Sequence, residues 1–346
     1  MTNLRDAPMR RAVGIRCVSA ALLGLAMIAA GAEVLASDAT HAPLVPRVPL
    51  AAVPVDARVD VPAGPGWLGI GFGSVWISKS TSQAVYRIDP STNKVIAKIP
   101  VGPDAELGVT AAAGSIWIPD VKEHSLTQID PIRNVVARKM PMDVSADPEG
   151  SIAVTQDSVW FVSDRGGTDA GTLVRMNVQT GRTTAQIKIP SQSHAVVAAF
   201  GAIWVASSGS GLVVRVDPVT NSIVARIPVH AQPRFIVSGF GSVWALSQSD
   251  GSLARIDPQT SRVIATLALK VPGRGGDLAI DDTTLWVSAE GTPISLVDPK
   301  TNTARVQVVG GHELDTLRAG FGSLWLIDEH VGVLRIDPAK LPGVAR

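Results

Sequence analysis

The chain has 346 residues, 46% hydrophobic but only 4% aromatic, and a formal net charge of +1. That length is too great for one ordinary compact core but normal for a ring of small sheets. A near-neutral chain with no basic run also lacks the electrostatic footprint of a nucleic-acid binder. The single cysteine, Cys17, lies near the start. The remainder can therefore form no disulfide, thiolate metal site or cysteine nucleophile.

Residues 1–36 read as an export signal. Arg5, Arg10, Arg11 and Arg16 precede the apolar run VSAALLGLAMIAA, and Val34-Leu35-Ala36 before Ser37 suits signal-peptidase cleavage. The run is short of the ~20 residues that a spanning helix needs. The expected product is periplasmic or secreted, with no transmembrane span after cleavage; a retained anchor is the alternative. Without these residues the chain carries 27 basic and 28 acidic side chains. Residues 37–56 hold Pro43, Pro46, Pro49 and Pro54, a spacing that favours an extended, semi-rigid linker.

From residue 57 a repeat takes over. Trp76, Trp117, Trp160, Trp204, Trp244, Trp286 and Trp325 stand 41, 43, 44, 40, 42 and 39 residues apart, in phrases such as GSVW, GSIW and GSLW. Asp-Pro follows each at Asp89, Asp130, Asp217, Asp257, Asp298 and Asp337, with Asn177 in the third repeat. Residues 68–101 show the unit: an apolar stretch, a Phe72-Gly73 turn, the strand SVWIS, a polar loop, the strand AVYRI, a turn at Asp89-Pro90-Ser91-Thr92-Asn93, and the strand KVIAKIPV. Four short strands on a period near 40 make one propeller blade. In the turn, Asp bonds its own backbone, Pro presets φ, and Asn93, Asn134, Gly181, Asn221 or Asn302 tolerates a left-handed backbone. The repeated tryptophans are read as wedges buried between sheets.

The last repeat has three strands and lacks a fourth. Its counterpart is residues 57–62 (ARVDVP), which match the fourth strands of other repeats. The expected fold is all-β: a seven-bladed β-propeller over 57–340, its four-stranded blades closed by an N-terminal strand that completes the last blade, with residues 341–346 as a tail.

The phrases GFGSVWIS, YRIDPSTNKVIAKIPVG and VVRVDPVTNSIVARIPV resemble the YVTN-type β-propeller repeat and the wider group containing virginiamycin B lyase. The resemblance covers about residues 57–340. It implies the fold; the group holds binding proteins, unassigned exported proteins and a lyase.

Differences between repeats locate the candidate site. The turns between strands one and two and between strands three and four are nearly uniform and share one face. The opposite face carries varied loops, the longest at 164–171, and specificity can reside there. Counting back from each repeated Trp to the start of its inner strand gives Trp67, Glu106, Glu149, His194, Arg234, Asp277 and Asp315, with His230 and His312 nearby. This polar ring is the candidate site for a small molecule, a cation or an envelope protein at the channel mouth. The chain then reads as a monomeric exported binding or scaffold protein of the bacterial cell envelope, with no cofactor. The alternative, implied by the resemblance, is a C–O lyase opening a cyclic ester with a divalent cation, for which His194, His312, Glu149 and Glu290 supply the residue types. The lyase pattern of Trp-Phe-Thr-Glu and Gly-Pro-His-Gly is absent: Trp160-Phe161-Val162-Ser163 stands here instead.

Overall fold

The computed structural model describes residues 45–346 apart from 63, 65, 80, 104–107, 143–151, 164–169, 231, 272–274, 312–315, 331, 343 and 345–346. The expected export signal (1–36) and the start of the proline-rich stretch lie outside the described residues. Among the described residues no helix is long and apolar enough to cross a membrane.

Seven blades of four antiparallel strands follow one another along the chain, the sixth extended by a fifth, parallel strand. Blade 1 is Gly66–Gly71, Ser74–Lys79, Ala84–Asp89 and Lys94–Pro100, paired in that order. The inner strands of successive blades are neighbours, and the inner strand of blade 7 (Leu317–Gly320) neighbours that of blade 1, so the array is a closed ring. Ala57–Val59 pairs antiparallel with Gly332–Ile336 and completes blade 7, as the repeat pattern predicts. Gly332 permits that approach: its φ is 108°, and a Cβ there would stand 2.4 Å from the Val59 carbonyl oxygen.

Five of the inner hairpins turn on two residues with positive φ, such as Phe72 (50°) followed by Gly73 (68°). Two left-handed residues define the type I′ turn, whose twist matches that of the strands it joins. The Asp-Pro turns close as their chemistry dictates. The Ser91 amide donates to Asp89 Oδ1 at 2.8 Å, and Asn93 adopts φ 56°. The hydrogen bonds from Ser91 hold the Asp89 carboxyl below its ordinary pKa, so these aspartates are structural.

The seven repeated tryptophans are at most 1% exposed. Fully burying such a side chain is worth on the order of 3 kcal/mol. Five of the indole N–H groups donate to a carbonyl five residues upstream, as Trp76 does to Gly71 at 3.0 Å. Over the rings lie arginines from the third strands: Arg87 on Trp76, Arg175 on Trp160, Arg215 on Trp204, Arg255 on Trp244 and Arg335 on Trp325, all 4.9–5.3 Å from the ring centroid. Each arginine also reaches the next blade. Arg87 Nη1 donates to Pro131 O (2.6 Å) and Asn134 Oδ1 (2.9 Å), and Arg175 and Arg255 repeat the pattern on Pro218 and Asn221 and on Pro299 and Asn302. Arg335 of blade 7 donates to Pro90 O (2.6 Å) and Asn93 Oδ1 (2.8 Å) of blade 1, which locks the ring.

Two blades depart from this. Blade 2 has Gln128 in place of the arginine. There Arg138, from the fourth strand, donates Nε to Gln128 Oε1 (2.7 Å) and its Nη groups to the Val178 and Gln179 carbonyls of blade 3. Blade 6 has Leu296 at the position, so among the described residues no arginine clamp of this kind crosses to blade 7. The proline-rich stretch, expected as a linker over 37–56, packs against this part of the ring over residues 45–56. Arg47–Pro49 pairs in parallel with the outer strand of blade 6, and Val53 is buried with Trp286, Leu296, Leu326 and Leu334 of blades 6 and 7. Leu341, expected in a tail, is 2% exposed in the same cluster.

Replacing Arg335 with alanine removes a cation–π contact and two charge-assisted hydrogen bonds across the closing seam. Each such bond is worth about 1.5–3 kcal/mol and the ring contact about 1. Urea unfolding should show a loss of about 4 kcal/mol or more for Arg335→Ala and a clear loss for Gly332→Ala. Losses below about 0.5 kcal/mol, ordinary for surface changes, would mean that the seam is held elsewhere.

Candidate functional site

All seven inner strands border one central cavity of about 470 Å³. Most of the side chains lining it are apolar, including Ile70, Val109, Val197, Ile236 and Leu278, because alternate residues of buried inner strands carry aliphatic side chains. Its charged side chains, Asp277 and Arg318, belong with Trp67 to a cluster from three consecutive blades. Trp67 begins the inner strand of blade 1, Asp277 that of blade 6, and Arg318 comes from blade 7. Trp67 and Asp277 stand at one level, since each pairs with the serine two residues past its blade's wedge Trp (Ser78 and Ser288). Inner strands run from the varied-loop face toward the uniform turns, so the cluster sits at the varied-loop end.

Each contact in the cluster has a defined role. Arg318 Nη1 donates to Asp277 Oδ2 and, at 2.7 Å, to Leu317 O, while its guanidinium lies 5.5 Å from the centre of the Trp67 ring. Asp277 Oδ1 accepts from the Leu278 amide (2.8 Å) and Oδ2 from the Leu317 amide (3.1 Å). Asp277 is buried, and that burial pushes its carboxyl from 3.8 up to about 6, against the pull of Arg318 and of the two amides. At neutral pH the result is an ion pair of a buried carboxylate with a guanidinium in the cavity wall.

Of the residues expected at the channel mouth, the structure brings Trp67 and Asp277 together in the cavity wall. His194 and Arg234 are not in it: each immediately precedes a wall residue, Ala195 and Phe235. His194 Nε2 bonds Ser208 Oγ at 2.9 Å, and Arg234 stacks at 5.9 Å on Phe235. Glu106, Glu149, His312 and Asp315 lie outside the described residues. His230 Nδ1 stands 3.3 Å from Asp250 Oδ2 in blade 5, with both groups about half exposed. Glu290 is exposed in blade 6, away from His194 in blade 4. Among the described residues no three His, Cys, Asp or Glu side chains converge as a metal site.

Arg318 was not among the expected residues, yet the repeat contains its signal. It is paired directly with wedge Trp325, a position held elsewhere by Gly69, Thr110, Ala153, Val197, Val237 and Ala279. Six small or apolar residues against one arginine mark the exception.

With the ring and its cavity described, the class is a β-propeller. No family model matches the chain, and no curated protein does. Among solved structures, hydrazine synthase of Kuenenia stuttgartiensis aligns with a TM-score of 0.64 at 12% identity, over 83% of this chain and 98% of that one. BamB from Moraxella catarrhalis aligns with a TM-score of 0.58 at 13% identity, over 84% of this chain and 95% of the other. Likeness at that identity is a likeness of fold.

The raised pKa of Asp277 has a measurable sign. A folded-state value above the ordinary 3.8 means that the folded protein holds the proton more tightly. The resulting stabilisation is complete below about pH 4 and is lost as pH rises through about 6. Asp277→Asn carries no such proton. Between pH 5 and 7 the wild type should therefore lose about 1 kcal/mol relative to the variant in urea unfolding. Parallel pH profiles would place the carboxyl pKa near its ordinary value.

Proposed function

We propose that the chain is an exported binding or scaffold protein of the bacterial cell envelope, built on YVTN-type repeats, that holds a small ligand at the varied-loop end of its channel. The observation that carries the reading is the cavity itself. A concave space lined by apolar side chains with a few convergent polar groups is the usual form of a small-molecule site, and here an ion pair and a tryptophan occupy one end of the channel. The basic, apolar and small-residue pattern of residues 1–36 supports export.

Expression of the full chain in a bacterium, osmotic-shock fractionation and native mass spectrometry test both parts. The expected species starts at Ser37, is released with the periplasmic contents, and carries a small-molecule adduct that is lost on unfolding. An uncleaved chain held in the cytoplasm would overturn the export reading, and adduct-free protein from every fraction would count against the channel site.

A further inference from the structure

The side chain of Arg318 has one edge tied down and another left open. Both Nη1 hydrogens are used, on Asp277 and on the Leu317 carbonyl, and Trp67 covers the guanidinium plane. Nε and Nη2 make no hydrogen bond among the described residues, and Arg318 forms part of the cavity wall. Asp277 meets Arg318 through Nη1 alone: its Oδ2 takes Nη1 and the Leu317 amide, and its Oδ1 takes the Leu278 amide. The Nε–Nη2 edge is the face of a guanidinium that matches the two oxygens of a carboxylate. Its orientation is fixed before any ligand arrives, so little entropy is lost on binding.

The rest of the cavity narrows the ligand class. Arg318 is the one cationic side chain in the described wall, and Asp277 already offsets part of its charge. A dianion such as a phosphate monoester would lack a second positive partner, whereas a monocarboxylate needs no other. Below the cluster the wall offers aliphatic groups, among them Ile70, Val197, Ile236 and Leu278, with Ser238 and Thr110 the other polar side chains. We infer that the channel takes a monocarboxylate with an apolar body, its carboxylate on the Nε–Nη2 edge of Arg318 and its body directed along the channel. Asp277 and Trp67 act as positioning residues. The inference rests on the channel-ligand reading above and names its ligand class.

Calorimetric titration of the purified protein with octanoate and phenylbutyrate, each against its alcohol (octanol, phenylbutanol), tests the assignment. The wild type should bind both carboxylates at least tenfold more tightly than the matched alcohols. Arg318→Gln should abolish that preference while leaving alcohol binding within about threefold, and Arg318→Lys should retain part of it, because lysine keeps the charge and loses the two-point geometry. Equal affinity for acids and alcohols in the wild type would overturn the carboxylate assignment and leave the channel as an apolar site. Binding of neither acids nor alcohols would overturn it as well, and combined with adduct-free protein in the native spectra would remove the channel reading too. The wild-type comparison decides the matter even if the glutamine variant fails to fold.

Discussion

The ring depends on one repeated contact: an arginine that stacks on its own blade's tryptophan and donates to the turn of the next blade. A flat indole wedge supplies burial but little direction across a seam. The guanidinium adds direction, because its planar fork must meet a carbonyl and an Asn side chain at once. Asn93, Asn134, Asn221 and Asn302 therefore have two duties. Their backbones complete a left-handed turn, and the side chains accept a bond from the preceding blade. This second role gives a reason for Asn where Gly would satisfy the turn alone.

The exceptions show that the contact is a constraint and not a habit of the repeat. In blade 2 the arginine has moved to the fourth strand, and Gln128 bridges Arg138 to Ser115. In blade 4 the partner turn offers Ser261 in place of Asn, and Arg215 still reaches it at 3.0 Å. Among the described residues the clamp is absent only after blade 6, with Leu296 in the arginine's place. An apolar seam needs apolar cover, and residues 45–56 with Leu341 provide it. The loss of a directional bond is thus matched by burial from the two chain extremities.

Much of the fold was legible in sequence because each backbone demand leaves its mark on residue type. Left-handed turns require Asn or Gly, Asx turns require Asp, and a wedge requires Trp, so period and blade number could be read directly. The docking of residues 45–56 left no such mark. Pro46 and Pro49 look like linker residues, yet proline is tolerated at the edge of a sheet, where no partner needs its missing N–H. The channel wall was legible only in part. Counting back from Trp fixes height along a strand to about one residue, and one residue exchanges wall for neighbouring side chain. Irregular register between Ser193 and Val196, and between Pro233 and Phe235, adds to that uncertainty, which is why His194 and Arg234 fall outside the cavity wall.

Repetition also explains why the site is asymmetric. Seven equivalent inner strands would line a channel with seven equivalent groups, and few small molecules have sevenfold symmetry. A directional site therefore has to break the repeat at a few places. Here the break is local: Trp67, Asp277 and Arg318 occupy consecutive blades 1, 6 and 7, on both sides of the seam where Arg335 closes the ring. The pair Asp277–Arg318 also couples blade 6 to blade 7, where the outer clamp is missing. The same two side chains thus join the inner edge of the seam and place a guanidinium in the channel wall. Any change that loosens blade 6 from blade 7 would be felt first at that guanidinium.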